Sequence, residues 1–208
     1  MARRGDALRE HILDVAKIAF LESGFAHTSM DAVAARAETS KRSLYAHFAT
    51  KDVLVQAVIE RTRDLLSGRM PAPEHYSDDP VEAAARYCGR LVQLLRWSTV
   101  AQTCRLGISE ATRLPEAAAG IYDAIFGQAG DRLAGYLREQ LRMKGDEARS
   151  TALLMIAQAV YPTLPRVLFG TDRTVEQLPV EEQLDADVDL PGIRRIVRLQ
   201  LETGSTSA

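Results

Sequence analysis

The sequence contains few cysteines, prolines or aromatic residues: two Cys, eight Pro and 6% aromatic residues among 208 positions. Cys88 and Cys104 have no companion Cys or His at zinc-ligand spacing, which disfavours both a disulfide framework and a structural zinc site. We interpret both cysteines as small core residues, and a reactive role is the less favoured alternative. We expect neither a metal nor a cofactor.

Long apolar runs are also missing from the sequence. No stretch approaches the roughly 20 apolar residues that cross a bilayer, and the N-terminus lacks the apolar core of a signal peptide. We therefore expect a cytoplasmic protein with no membrane partner. Ser, His and Asp residues occur, but no nucleophile elbow, phosphate-binding glycine loop or His-Glu metal motif is found, so an enzyme is disfavoured.

The net charge of -2 would not by itself indicate a nucleic-acid partner, but the charges are unevenly distributed. Residues 174–190 carry six acidic side chains and no basic one, which predicts a solvated acidic loop. The N-terminal quarter is richer in basic residues and is expected to face an anion. The basic residues that carry this pattern are Arg3, Arg4, Arg9, Lys41, Arg42 and Lys51.

The pattern of apolar residues predicts an all-α protein, because spacings of three and four recur and no long polar–apolar alternation appears. The 46% hydrophobic content is enough for a substantial core. Gly24 should end the first helix. Predicted helices span residues 6–23, begin at Thr28, Ser40 and Thr50, and then span residues 81–96, 101–112, 116–144, 146–169 and 192–202. Residues 70–80 are predicted to be a linker, and glycines predict that 116–144 bends or divides.

The second and third predicted helices have the form of a helix-turn-helix, in which the second helix enters a DNA major groove. Leu44 and Phe48 lie four residues apart and should anchor this helix inward. Arg42 or Lys41 suits a guanine edge, since both side chains can donate to its O6 and N7. The phosphate-binding candidates are Ser40, Tyr45, His47 and Lys51. Ser43 on the same face, and Thr28 and Ser29 at the start of the preceding helix, are further DNA-binding candidates.

Two of these assignments have structural alternatives. His47 precedes a residue predicted to be buried, so it could instead satisfy the neighbouring turn. Tyr45 could pack on the first helix.

Residues 28–34, 37–48 and 51–54 together resemble the DNA-binding domain of the tetracycline-repressor (TetR) family. The resemblance covers about residues 9–54. It implies an N-terminal three-helix helix-turn-helix domain (residues 1–53) and a larger C-terminal helical domain (54–208) that binds an effector and dimerises. It further implies a homodimeric, sequence-specific transcriptional regulator on double-stranded operator DNA, a repressor released by a small-molecule effector. A DNA-binding architectural protein without a ligand is the alternative.

The turn between the two short helices departs from the family pattern. Glu38 stands where the family usually has glycine, and Thr39 replaces a small apolar residue. Either Glu38 adopts a left-handed backbone at a cost near 1 kcal/mol, or the turn is built differently. We expect weaker or more selective operator binding, because its negative charge lies close to the phosphate path.

The C-terminal part more weakly resembles the ligand domains of drug-efflux and quorum-sensing repressors, through residues 104–110, 114–116 and Tyr122. The resemblance implies an apolar pocket with a few polar groups; the alternative for each candidate is ordinary core. The candidate effector-binding residues are Trp97, Cys104, Arg105, Tyr122, Phe126, Met155 and Tyr161. Residues 146–169 and 192–202 have apolar faces that could pack across a two-fold axis or be buried within one subunit.

Overall fold

The computed structural model describes residues 2–204, and side chains for residues 5–202. Arg3 and Arg4 therefore lie outside the described side chains. The described chain is helical, and its only extended pairing is an isolated bridge between Trp97 and Val175. The all-α prediction is confirmed. The helices are α1 (Ala2–His27), α2 (Met30–Arg36), α3 (Lys41–His47), α4 (Lys51–Ser67), α5 (Pro80–Leu95), α6 (Ser98–Glu110), α7 (Pro115–Tyr122), α8 (Gln128–Leu141), α9 (Gly145–Val160), α10 (Leu164–Leu168), α11 (Leu184–Asp187) and α12 (Leu190–Gly204).

By its internal contacts the chain divides into two compact units. The first consists of Met1–Leu65 and Thr103–Ala124, and the second consists of Leu66–Gln102 and Ile125–Ala208. This division differs from the domain boundary expected after residue 53. The first unit also includes residues 54–65 and 103–124. Among residues 2–204 we found no helix whose length and hydropathy would suit a bilayer crossing.

In the first unit, α1 buries the apolar face that the sequence predicted, including Ile12, Ala16 and Phe20. Gly24 interrupts α1 with a φ of 79°, a left-handed conformation that glycine adopts without steric cost. The chain then turns so that the Phe25 ring meets the Phe20 ring edge to face, with 5.0 Å between centroids. The predicted stop at Gly24 is therefore present, although the helix continues for three more residues.

Side-chain caps define the starts of the next three helices. Ser40 and Thr50 cap α3 and α4 as predicted, accepting hydrogen bonds from the backbone N–H of Ser43 (3.0 Å) and Val53 (3.2 Å). The prediction that Thr28 caps α2 was wrong. Ser29 is the cap, and its hydroxyl accepts from the Ala32 N–H at 3.1 Å.

In the second unit, α5 is the central helix, packed on α8, α9 and α12. Most of its residues are buried, and the Tyr87 hydroxyl donates to the Ala129 carbonyl at 3.1 Å. Residues 70–80, predicted to be a linker, instead pack on this helix through a 3-10 turn at Pro73–His75 in which Pro73 is buried. That prediction failed because prolines mark irregular backbone but do not show whether it is packed.

Two other predicted elements differ in the structure. The stretch predicted to bend or divide is divided by a π-helical turn at Asp123–Gly127, which separates α7 from α8. The predicted helix 146–169 is broken between α9 and α10, where Pro162 has no N–H to continue the helical hydrogen bonding. The acidic stretch 174–190 is not a free loop. It contains a 3-10 turn at Glu181–Gln183 and the short helix α11, and side chains of α5 hydrogen-bond to it.

Candidate nucleic-acid interface

Helix α3 is held by two apolar anchors, as the sequence predicted. Leu44 and Phe48 are almost fully buried, and the Arg9 guanidinium lies 5.3 Å from the centre of the Phe48 ring. The anchors lie four positions apart, so they are on one side of the helix and direct the remaining side chains outward. The cap at Ser40 sets the start of the helix and places its hydroxyl 2.9 Å from that of Ser43.

The outward face of α3 presents Lys41, Arg42 and Tyr45. Tyr45 is 48% exposed, so it does not pack away on α1. Lys41 Nζ donates to Asp31 Oδ2 on α2 at 2.6 Å, in an ion pair exposed on both sides. The Arg42 side chain is exposed, and no partner for its guanidinium is found within residues 5–202. Unlike Lys41, Arg42 can therefore engage a new acceptor without breaking an ion pair.

His47 and Lys51 lie at the far end of α3 and the start of α4. Lys51 Nζ donates to the Ala26 carbonyl at 3.3 Å, and partial burial lowers the pKa of its ammonium group. The His47 ring is half-buried, with its centroid 6.3 Å from that of Phe48. Both side chains are thus partly held by the protein, in contrast to Arg42.

The structure corrects the expectation that Thr28 contacts DNA. Its side chain is 3% exposed, and its hydroxyl reaches the carbonyls of Gly24 (2.8 Å) and Ala19 (3.2 Å). The hydroxyl is thus satisfied inside the protein and is not presented to an external phosphate. Ser29, next to it, is exposed at the start of α2.

The turn before α3 has the left-handed form that the sequence allowed. Glu38 has a φ of 48°, and its N–H donates to the Ala35 carbonyl at 3.1 Å. The next residue, Thr39, donates to the Ala34 carbonyl at 3.0 Å. The exposed Glu38 therefore occupies a glycine-like conformation at a steric cost of roughly 1 kcal/mol.

Asp31 also belongs to this surface, although the sequence pattern did not predict it. Its ion pair with Lys41 joins residues ten apart across a turn, and no helical spacing rule covers such a pair. The Arg36–Glu22 pair, which also links α2 to an earlier helix, was missed for the same reason.

The candidate effector-binding residues are distributed over both compact units. Cys104, Arg105 and Tyr122 belong to the first unit, and the other four belong to the second. Met155 is fully buried, whereas Tyr122 and Tyr161 are exposed. Burial raises the pKa of the Cys104 thiol to about 12, as expected for a core cysteine.

Comparison with known proteins finds a family match in the first unit. Residues 12–58 match the family model described as "Bacterial regulatory proteins, tetR family". Among curated proteins, the chain is similar to the HTH-type transcriptional regulator UidR of Escherichia coli (strain K12), with 33% identity over 86 residues. That alignment covers 40% of the chain and 44% of UidR, so less than half of the relative is matched.

Solved structures share the fold of this chain over nearly its whole length. The flavonoid-responsive regulator FrrA aligns with a TM-score of 0.74 and 21% identity, covering 97% of each chain. A TetR-family transcriptional regulator from Agrobacterium tumefaciens aligns with a TM-score of 0.60 and 19% identity, covering 92% of this chain and 98% of its own. At these identities the likeness establishes the fold, an N-terminal helix-turn-helix followed by a helical C-terminal part.

Proposed function

We propose that this protein is a sequence-specific DNA-binding transcriptional regulator that reads its operator with α3. One observation carries the proposal: α3 is anchored by Leu44 and Phe48 and turns Lys41, Arg42 and Tyr45 to solvent. A short helix with cationic and hydroxyl side chains on its open face fits a major groove. The tetR-family match over residues 12–58 supports the same role.

The side chains around α3 have different proposed roles. Arg42 reads a base edge, since its guanidinium can donate two hydrogen bonds to guanine O6 and N7. Ser29, Ser40, Ser43, Tyr45, His47 and Lys51 are the proposed phosphate contacts. Lys41 contributes positive charge but must exchange its bond to Asp31 for one to DNA. Thr28 is left out because its hydroxyl is buried.

We further propose a homodimer with one half-site for each α3. In such a dimer the two recognition helices lie about 34–36 Å apart, the spacing of successive major grooves on one side of the duplex. Leu153 and Leu154 on α9, and Tyr161 just after it, are large apolar side chains exposed in the single chain. Ile156 and Val160 are buried within the subunit, so α9 keeps a second apolar surface for a partner.

The regulator is proposed to be a repressor released by a small molecule. By linkage, an effector that weakens operator binding is itself bound more weakly in the presence of operator, by the same factor. The name of FrrA says that this structural neighbour responds to flavonoids. This name supports a ligand-responsive role for the fold that the two proteins share.

Selection of bound fragments from random DNA tests the regulator proposal. The expected result is a near-palindromic motif with two half-sites about one helical turn apart. Arg42→Ala should then cost about 1–3 kcal/mol on this motif and relax the preference at one base of each half-site. Lys51→Ala should weaken all DNA sequences alike and flatten the salt dependence of binding.

Arg138→Ala is the matched control, since Arg138 is an exposed arginine on α8 in the other unit. It should leave both affinity and motif unchanged. Failure to recover any motif, or equal behaviour of the Arg42 and Arg138 variants, contradicts the proposal.

A further inference from the structure

An acidic segment crosses the C-terminal end of α5, and we refer to residues 172–189 as the strap. The strap pairs with the chain that follows α5. Val175 N–H donates to the Arg96 carbonyl at 2.9 Å, and Ser98 N–H donates to the Val175 carbonyl at the same distance. The Trp97 indole N–H also donates to the Glu176 carbonyl at 3.2 Å. One end of the strap is therefore fixed to the turn after α5.

Two buried polar side chains of α5 hold the middle of the strap. Arg90 Nη1 donates to the Pro179 carbonyl at 2.9 Å, and its Nε donates to the Arg69 carbonyl at 3.0 Å. Gln93 is 1% exposed and donates from Nε2 to the Val180 carbonyl (2.8 Å) and to Asp187 Oδ2 (2.5 Å). Because these hydrogen bonds are made within the protein, the strap is ordered without a ligand. It therefore forms a preorganised wall.

A cleft of about 560 Å³ lies between the strap and the end of α5. Its volume is in the range of small-molecule sites. Val175, Leu178 and Ala186 form an apolar part of its lining. Arg96 and Asp187 supply one positive and one negative side chain, so the charges in the lining balance.

Arg96 has an unused donor. Its Nη1 donates to the Asp187 carbonyl at 3.2 Å, and its Nη2 lies 3.7 Å from Asp172 Oδ1. Its Nε is buried and has no hydrogen-bond partner in the part of the chain that the structure describes. A buried N–H without an acceptor is costly, and a charged donor forms its strongest bond with a carboxylate.

Asp187 favours a cationic group in the cleft, whereas Arg96 favours an anionic one. One of the carboxylate oxygens of Asp187 accepts from Gln93, and Asp187 and Arg96 both line the cleft. A purely anionic ligand would gain from Arg96 but be repelled by Asp187, and a purely cationic ligand would meet the reverse. A ligand that carries both charges satisfies the two residues together.

We propose that this cleft binds a zwitterionic small molecule, a hydrophobic α-amino acid, with its carboxylate at Arg96, its ammonium group at Asp187 and its side chain against the apolar wall. As the effector site of a regulator this inference rests on the proposed function, but binding itself does not. None of the effector-binding residues expected from the sequence lines the cleft.

Calorimetric titration of the full chain without DNA tests the site. The probes are L-phenylalanine, L-leucine and L-tryptophan, with 3-phenylpropionate and phenethylamine as analogues of phenylalanine that each lack one charge. The best amino acid should bind at least tenfold more tightly than either analogue. Failure of all three amino acids to bind, or equal affinity for phenylalanine and both analogues, overturns the proposal.

Substitutions of Arg96 and Asp187 then test which charged group of the ligand each residue binds. Arg96→Gln should reduce phenylalanine affinity at least tenfold and leave phenethylamine unaffected, and Asp187→Asn should reduce phenylalanine affinity but improve that of 3-phenylpropionate. Arg173→Gln is the matched control, since Arg173 is an exposed arginine of the strap outside the cleft lining. Ala186→Trp should block binding by filling the cleft while both charged residues remain, and thermal melting checks that each variant is folded. Unchanged phenylalanine binding by Arg96→Gln overturns the proposal.

Operator binding is measured separately on the same preparations by gel shift. Loss of the amino-acid site with intact operator binding refutes only the cleft. Amino-acid binding without any operator refutes only the regulator.

Discussion

Glu38 is strained and negatively charged in the turn that leads into α3. Its φ of 48° suits glycine, and its exposed side chain lies two residues before Ser40, a proposed phosphate contact. Glu38→Gly should raise the free energy of unfolding by about 1 kcal/mol, because the left-handed conformation no longer carries a Cβ. It should also tighten operator binding, because a repulsive charge is removed. Urea denaturation and gel shift measure the two effects.

Glu38→Gln separates strain from charge in this prediction. It removes the charge but keeps the Cβ, so it should tighten operator binding without adding stability. If the Gly and Gln variants are equally stable, the left-handed turn carries no measurable strain, and the prediction is wrong.

At the scale of elements, an ionic cluster joins α5 to α12. Glu82 accepts from Arg86 Nε at 2.6 Å and from Arg194 Nη2 at 2.8 Å. The hydrogen bonds from Arg194 lower the pKa of the Glu82 carboxyl, with Arg86 adding to the effect. The depressed pKa means that the unfolded chain binds this proton more readily. The contribution to stability is therefore present above the ordinary carboxyl pKa and is lost as the pH falls through the lowered value.

Glu82→Gln should therefore destabilise the protein by about 1–2 kcal/mol at pH 7, and the difference from wild type should shrink below about pH 4. Urea unfolding at a series of pH values measures this. Glu139→Gln, at an exposed glutamate of α8, is the control and should have little effect. A Glu82→Gln difference that stays constant with pH would show that the loss comes from packing and not from the charge.

The whole molecule is proposed to act as a pair. Leu154 on α9 is 48% exposed, so a polar replacement is tolerated in the single chain. In a two-fold interface, Leu154→Glu would bury an unpaired charge and should raise the dimer dissociation constant by about a hundredfold. Sedimentation velocity measures this, and operator affinity should fall with it. Ile108→Glu, at a residue 64% exposed in the other unit, should leave the dimer intact. A dimer that persists in Leu154→Glu contradicts this placement of the interface.

Much of the first unit was predictable, because its decisive interactions are local. The anchors Leu44 and Phe48 follow from helical spacing, and the caps at Ser40 and Thr50 follow from hydroxyls placed just before apolar runs. The cap of α2 was misassigned because two hydroxyl residues are adjacent there. The hydroxyl of Thr28 donates to the carbonyl of Ala19, nine residues earlier. Ser29 therefore caps α2 instead of Thr28.

The strap shows where prediction from the sequence ended. The six acidic residues of the stretch 174–190 suggested a solvated loop, yet Arg90 and Gln93 donate to backbone carbonyls of the strap from about 90 positions earlier in the chain. The sequence by itself determined the helical class and the apolar anchoring of α3, because these depend on side-chain spacing within a few residues. Tertiary structure alone decided that Lys41 is paired, that Arg42 is open and that a charged cleft lies under the strap. These features depend on which distant polar groups meet, and residue spacing along the chain does not contain that information.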